Sequence, residues 1–382
     1  MEHRGALKGI RVLDLSRMLP GPYCSMILAD HGAEVIAIEA RKFQEDELFF
    51  NDLNRNKKHM TLNLKNQQGL EIFLKLADKA DVILEGFRPG VVKRLGVDYQ
   101  TVKKRNPGII FCSISGYGQT GPLRDRPGHD VNYLSTAGVL DLIGEKGRPN
   151  VIPGVQIADI AGGAMNAAVG ILLALYARDK TGEGQYIDIS MTDGILGLLS
   201  LPNHFYNVTG KCPKAADGLL SHRFACYNTY ETSDGRYVAL GAVENRFWQR
   251  FCEYLNRPDL TPLQYDEEKR EEIISYLRQV FLKKTFVTWE SELGALDICY
   301  SGVRKMEEVM DDPLFKQRDM VVDYTDKSGA TKSSIGIAVK LDETPGSIRT
   351  SPSLFGEDTR SVLLETGYSE EEINCFFADG AV

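Results

Sequence analysis

A histidine and an aspartate carry the first chemical signal. In RPGHDVNYLSTAGVL, His129 stands just ahead of a segment that reads as helix; in VIPGVQIADIAGGAMNAAVGILLALY, Asp159 stands ahead of a second. An imidazole and a carboxylate on separate helix starts can flank one ligand carbon, the arrangement a proton-moving enzyme needs. Asp130 follows His129, so its carboxylate is placed to cap the first helix while its N–H, with the Gly128 backbone, faces a ligand. After Asp159, the small residues Ala161, Gly162 and Gly163 would let a bulky ligand approach the helix N-terminus. Tyr133, one turn beyond His129 on the same face, is expected to line the pocket.

The elements that must position these residues read as an α/β fold. Ile10 to Leu15 is an apolar strand, the Pro20-Gly21-Pro22 turn starts a helix closing near His31, and Glu34 to Glu39 is a second strand. That βαβ unit predicts a Rossmann-like large domain with an open parallel sheet, although GxGxxG is absent from its first turn. Further strands are expected at MTLNL (60–64), Asp81 to Leu84, Ile109 to Ile114 and Gln185 to Ile189. Helices are expected at Gln67 to Ala80, Ala164 to Tyr176 and Thr192 to Phe205. The texture changes near Phe224, where a hairpin on Ser233-Asp234-Gly235 opens a smaller α+β domain. The predicted division is 1–205 for the large domain, 206–223 for a linker and 224–318 for the small domain. The C-terminal segment 319–382 carries a strand near Ser334 to Val339 and returns to the large domain.

Length and composition agree with this organisation. A chain of 382 residues with 43% apolar and 26% charged residues suits a two-domain globular protein. A net charge of -8 argues against nucleic acid as a partner. Seven cysteines show no paired metal spacing, and their odd number without a secretory signal points to a reducing cytoplasm. The apolar run from Ala164 to Tyr176 is shorter than a bilayer span and reads as a buried helix, so no membrane partner is expected. The other histidines, His3, His31, His59, His204 and His222, read as packing, loop or terminal residues.

The ordered set LSRMLPGPYCSMILADHGAEVIAIE, ADVILEGFRPGV, SGYGQTGP, RPGHD, ADIAGG and GQYIDISM resembles the type III CoA-transferase (CaiB/BaiF) superfamily. The resemblance covers nearly the whole chain, most densely from Gly9 to Thr192, and returns at VALGAVENRFW. His129 points to the racemase branch, which carries histidine in GHD where transferases usually carry tyrosine or another residue. Asp159 matches an aspartate that transferases use as nucleophile and racemases as acid and base. Glu244 matches the racemase glutamate held near the catalytic histidine.

This resemblance implies interconversion of (R)- and (S)-2-methylacyl-CoA thioesters by two-base transfer of the α-proton through an enolate. His129 and Asp159 would work on opposite faces, Glu244 would orient His129, and the Gly128 and Asp130 backbone would hold the enolate oxygen. An aspartate with a reference pKa of about 3.9 is a poor acid unless desolvated, so partial desolvation of Asp159 in the substrate complex is expected. The alternatives are a CoA-transferase using Asp159 as nucleophile and a CoA-ester dehydratase or isomerase reusing the enolate. CoA enters as part of the substrate, and neither a dissociable redox cofactor nor a metal is implied. Its phosphates need cations, for which Arg41, Arg55, Lys57, Lys58, Lys93 and Arg94 form the available cluster. Arg94 matches a phosphate-binding arginine of relatives, whereas a racemase arginine after the second strand falls here at Ala40, one residue before Arg41. Arg88 is expected to hold the fold, and Phe205, Tyr206, Phe224 and Tyr227 to supply an apolar acyl wall. Members of the superfamily form interlocked homodimers, which is the assembly the resemblance implies.

Overall fold

The computed structural model of the chain describes residues 5–45 and 51–382, with His3 outside them. Six strands form one parallel sheet: β1 (Arg11–Asp14), β2 (Glu34–Glu39), β3 (Lys57–Thr61), β4 (Val82–Glu85), β5 (Ile110–Ser115) and β6 (Tyr186–Ser190). Their order is β3-β2-β1-β4-β5-β6. Strands β1, β4 and β5 are buried almost throughout, which is why they read as continuous apolar runs. The order reverses between β1 and β4, leaving a crevice beyond their carboxyl ends, where open parallel sheets receive ligands. The α/β expectation for the large domain is met.

Strand β3 begins three residues earlier than its apolar pattern suggested, pairing Lys57 with Val35 and Thr61 with Glu39. Periodicity missed its start because the polar residues there are buried against partners distant in sequence. Arg55 is 3% exposed. Its guanidinium lies 2.7 Å from the Asp30 carboxylate and also donates to Ser334 Oγ and the Ile335 carbonyl. Lys57 donates to the Pro22 carbonyl at 2.8 Å and lies 3.8 Å from Asp14, and burial lowers its pKa to about 8 against the pull of Asp14. Lys58 pairs with Glu34 and Glu365. These three cations, expected on phosphate, are instead engaged in holding the sheet edge to the helix Pro20–Asp30 and to the C-terminal segment.

The chain divides into two compact units. The first takes the described residues up to Val139, Pro153–Leu199 and Pro313–Val382. Its core joins Leu13, Ile36, Phe73 and Phe111 to Val362, Leu363, Ile373 and Phe376 of the returning C-terminal helices. A hairpin of β10 (Val321–Thr325) and β11 (Thr331–Ile335) precedes them, in place of the single strand expected near Ser334 to Val339. The second unit takes Leu140–Ile152 and Ser200–Asp312. It holds an antiparallel sheet of β7 (Tyr227–Glu231), β8 (Tyr237–Gly241) and β9 (Tyr300–Gly302) over a core containing Trp248, Phe251, Phe281 and Trp289.

The expected domain boundaries move accordingly. The continuous helix read over 192–205 is broken into Met191–Leu196, a 3₁₀ turn Gly197–Leu199 and a new helix Ser200–Thr209 that belongs to the second unit. Pro202 offers no N–H to the Leu198 carbonyl, so a helix must restart just before it. The expected linker 206–223 is helical in its first part, and the polar loop 140–152 clusters with the second unit. The helix after Asp159 is longer than its apolar core suggested: Ala158–Thr181 is 24 residues, with mean hydropathy of 1.7 over its most apolar window, of which 44% is buried. By length and composition alone it is long and apolar enough to cross a membrane.

Asp30→Ala would leave the buried Arg55 guanidinium without its counter-charge and is expected to cost about 3–5 kcal/mol of stability. Replacing both residues with apolar groups of similar volume is expected to cost much less. Urea unfolding of the two variants beside the unsubstituted chain checks both expectations.

Candidate active site

The crevice between β1 and β4 opens into a cavity of about 590 Å³ within the first unit. It is lined by Ser16 and Arg17 beyond β1, Gly86 to Pro89 beyond β4, Ser115 and Gly116 at the end of β5, and Met191 beyond β6. The loop arriving from β5 adds Arg124, Arg126, Gly128, His129, Asn132 and Tyr133, and Asp159 completes the wall. The structure therefore brings His129 and Asp159 to one cavity.

Each has a definite local frame. His129 is the exposed N-cap of the helix Asp130–Thr136, and its N–H donates to Asn132 Oδ1 at 3.0 Å. The Asp130 N–H, at the first helical position, has no acceptor within its own helix, and Asp130 itself is not among the residues lining the cavity. The Asp130 carboxylate, however, does not cap its own helix. It crosses to the other one, where Oδ2 accepts the N–H of Ala158 at 2.6 Å and of Asp159 at 3.0 Å.

Asp159 lies in a π-helical stretch, Ala158–Met165, that runs into the α-helix Asn166–Thr181. Wide turns of this kind recur at functional sites. Two features support it here. Asn166 Nδ2 donates to the Ala161 and Gly162 carbonyls, both at 3.0 Å. Gly162 and Gly163 are buried against the following helix: a Cβ on Gly162 would stand 2.5 Å from the Met191 carbonyl oxygen. This corrects the expectation that the two glycines make room for a ligand; they make room for Met191 and Ile195.

Tyr133 is buried and its hydroxyl donates to the Gly128 carbonyl at 2.5 Å. Its ring lies against Gly116 and Gly128, where a Cβ would come within 2.4 Å and 2.8 Å of it respectively. One aromatic side chain thus fixes the spacing of the two ends of the loop between β5 and the helix Asp130–Thr136. Two more carboxylates do similar work at the strand ends. Glu85 accepts the Phe87 N–H at 2.7 Å, and burial raises its pKa to about 7. Asp188 accepts the Gln119 N–H at 3.0 Å, steadying the glycine-rich loop.

Electrostatics around Asp159 are unusual for an aspartate. Burial, then the neighbouring Asp130 charge, raise its pKa to about 6, while His129 pulls the other way. The desolvation expected for the substrate complex is already present without a ligand. The Tyr133 phenol is raised to about 12, mainly by burial and next by Asp159.

The cations divide differently from the sequence reading. Arg41, in the 3₁₀ turn Arg41–Phe43, and Arg94, on the short helix Val91–Leu95, are exposed but do not line the cavity. Arg88, read as a structural residue, is exposed and lines it, as do Arg124 and Arg126. Their signal was positional: FRPG directly follows a strand exit, and Arg124 and Arg126 immediately precede GHD. Glu244 lies in the second unit, as the N-cap of the helix Asn245–Tyr254. Among the described residues no cluster of three or more His, Cys, Asp or Glu side chains is arranged to hold a metal.

Asp159 binds its proton more tightly in the folded chain than in the unfolded one, so the fold loses stability as pH rises from about 4 to about 6. Asp159→Asn is therefore expected to raise the melting temperature at pH 7.5 and to change it little at pH 4. Calorimetric scans at the two pH values check the sign.

Known proteins resemble this chain along nearly its whole length. The model of CoA-transferase family III matches residues 7–359. Alpha-methylacyl-CoA racemase of Homo sapiens is 33% identical over 371 residues, covering 96% of this chain and 95% of the relative. Succinyl-CoA:mesaconate CoA-transferase of Haloarcula marismortui is 31% identical, covering 95% and 97%. The crystal structure of a CAIB/BAIF family protein from Brucella suis superposes with a TM-score of 0.83 at 26% identity, covering 95% of this chain and all of that one.

Proposed function

The chain belongs to CoA-transferase family III and is an enzyme acting on CoA thioesters, and from that premise we propose that it racemises 2-methylacyl-CoA thioesters. The observation that carries the reading is the presence of His129 and Asp159 on the wall of one cavity, with Asp130 tying their backbones together. Relatives named as racemases, 33% and 35% identical over nearly the full length, support it.

One of the two residues removes the α-proton, whose acidity comes from the thioester. The carbonyl oxygen takes on negative charge, and the Asp130 N–H is its proposed hydrogen-bond donor. The planar enolate then receives a proton on its opposite face from the other residue. Efficient transfer in both directions needs two groups of similar proton affinity. A carboxyl raised to about 6 binds its proton far more tightly than an ordinary aspartate, which suits it to return a proton as well as remove one. Glu244 matches the racemase glutamate in sequence. Arg88, Arg124 and Arg126, with Arg41 and Arg94 beyond the cavity, supply positive charge for the CoA phosphates.

The proposal includes a cytoplasmic homodimer. Met165, Val169, Leu172, Leu173 and Tyr176 are exposed at helical spacing along Ala158–Thr181. Such a stripe calls for cover, which a second copy of the chain would provide.

A second reading draws on the transferase relatives, in which Asp159 would attack an acyl-CoA and pass CoA to another acid. Deuterated buffer separates the two. With a single 2-methylacyl-CoA ester and no free acid, the racemase incorporates deuterium at the α-carbon and inverts it, whereas a transferase requires the acceptor acid. His129→Ala and Asp159→Ala are each expected to slow inversion roughly 10²–10⁴-fold. Inversion surviving both single substitutions would refute the two-base assignment.

A further inference from the structure

The serines at the carboxyl edge of the sheet divide unevenly. Ser16 donates its hydroxyl to Asp14, Ser113 receives the Tyr186 hydroxyl at 2.9 Å, and Ser190 Oγ accepts the Asp193 N–H at 3.1 Å. Ser115, the last residue of β5, is 7% exposed and lines the cavity, and its Oγ is buried without a hydrogen-bond partner among the described residues. A buried hydroxyl left unpaired carries a desolvation penalty that the fold gains nothing from. A ligand group that completes the bond would recover it.

The surroundings of that hydroxyl select the ligand. Of the cavity's arginines, Arg88, Arg124 and Arg126 are exposed, where phosphates would be met, and Arg17 is paired with Glu39 at 2.7 Å. Besides Ser115, the buried part of the cavity lining is uncharged, made of Ser16, Gly21, Ile114, Tyr133 and Met191. A slender, uncharged chain carrying isolated amides suits such a lining, and the hydroxyl can donate to an amide carbonyl or accept from an amide N–H. We infer that Ser115 is a substrate-binding residue, whose hydroxyl takes a hydrogen bond to an amide of the pantetheine arm of the CoA thioester. The inference rests on the acyl-CoA reading of this cavity and adds to it a contact that fixes the depth of the arm.

Ser115→Ala tests it, with isothermal titration of CoA and of adenosine 3′,5′-bisphosphate, which lacks the arm, and with the melting temperature of the free protein. CoA is expected to bind roughly fivefold to tenfold more weakly, the loss of one neutral hydrogen bond. The bisphosphate is expected to bind as before, and the melting temperature to stay level or rise, since an unpaired hydroxyl has been removed. Unchanged CoA affinity overturns the inference, as does parallel weakening of both ligands or a lowered melting temperature, which would mark a structural role. If the unsubstituted protein binds neither probe, the acyl-CoA reading fails and the contact fails with it. If it binds CoA and the variant binds equally, the contact alone is wrong.

Discussion

The site depends on a carboxylate that bridges two chain segments. Asp130 stands beside His129 in sequence, but its oxygen accepts the N–H groups of Ala158 and Asp159 in the other helix start. A helix N-terminus leaves donors unsatisfied, and an anionic acceptor there is favoured both by the bonds and by the helix dipole. Here that ordinary preference joins the backbone of one candidate base to the backbone of the other. The same charge adds to burial in disfavouring ionisation of Asp159, so one carboxylate bears on both spacing and proton affinity.

The cavity exists because the sheet order reverses between β1 and β4. Neighbouring strand exits diverge at that point, and the loops leaving them need restraint if they are to hold a ligand. They are restrained by side chains at the strand ends and in the wall: Asp14 for the residues after β1, Glu85 for the turn bearing Arg88, Asp188 for the glycine-rich loop, and the Tyr133 ring between Gly116 and Gly128. The rigid sheet and these few buried polar contacts together give mobile-looking sequence a fixed shape.

Much of this was legible in the sequence, for physical reasons that also explain the remainder. The buried strands announced themselves because both their faces are apolar, and His129 and Asp159 because their residue types sit ahead of helical patterns. Arg55 and Lys57 were misjudged because charge suggests solvent, while Asp30, Asp14 and the Ile335 carbonyl that receive them lie far off along the chain. Gly162 was misjudged because a missing Cβ shows only that something comes close; here it is the Met191 backbone and not a ligand. Arg124 and Arg126 were passed over because turns lack a periodicity to flag them.

The wide turn Ala158–Met165 has a consequence for how this site can vary. In a regular helix each residue advances the side-chain direction by about 100°. Removing one residue from that turn would let it relax to ordinary α-geometry and swing Asp159 out of line with the helix that anchors it, with every residue type in the wall unchanged. Along this segment, natural variants should therefore tolerate exchanged side chains more readily than altered residue count.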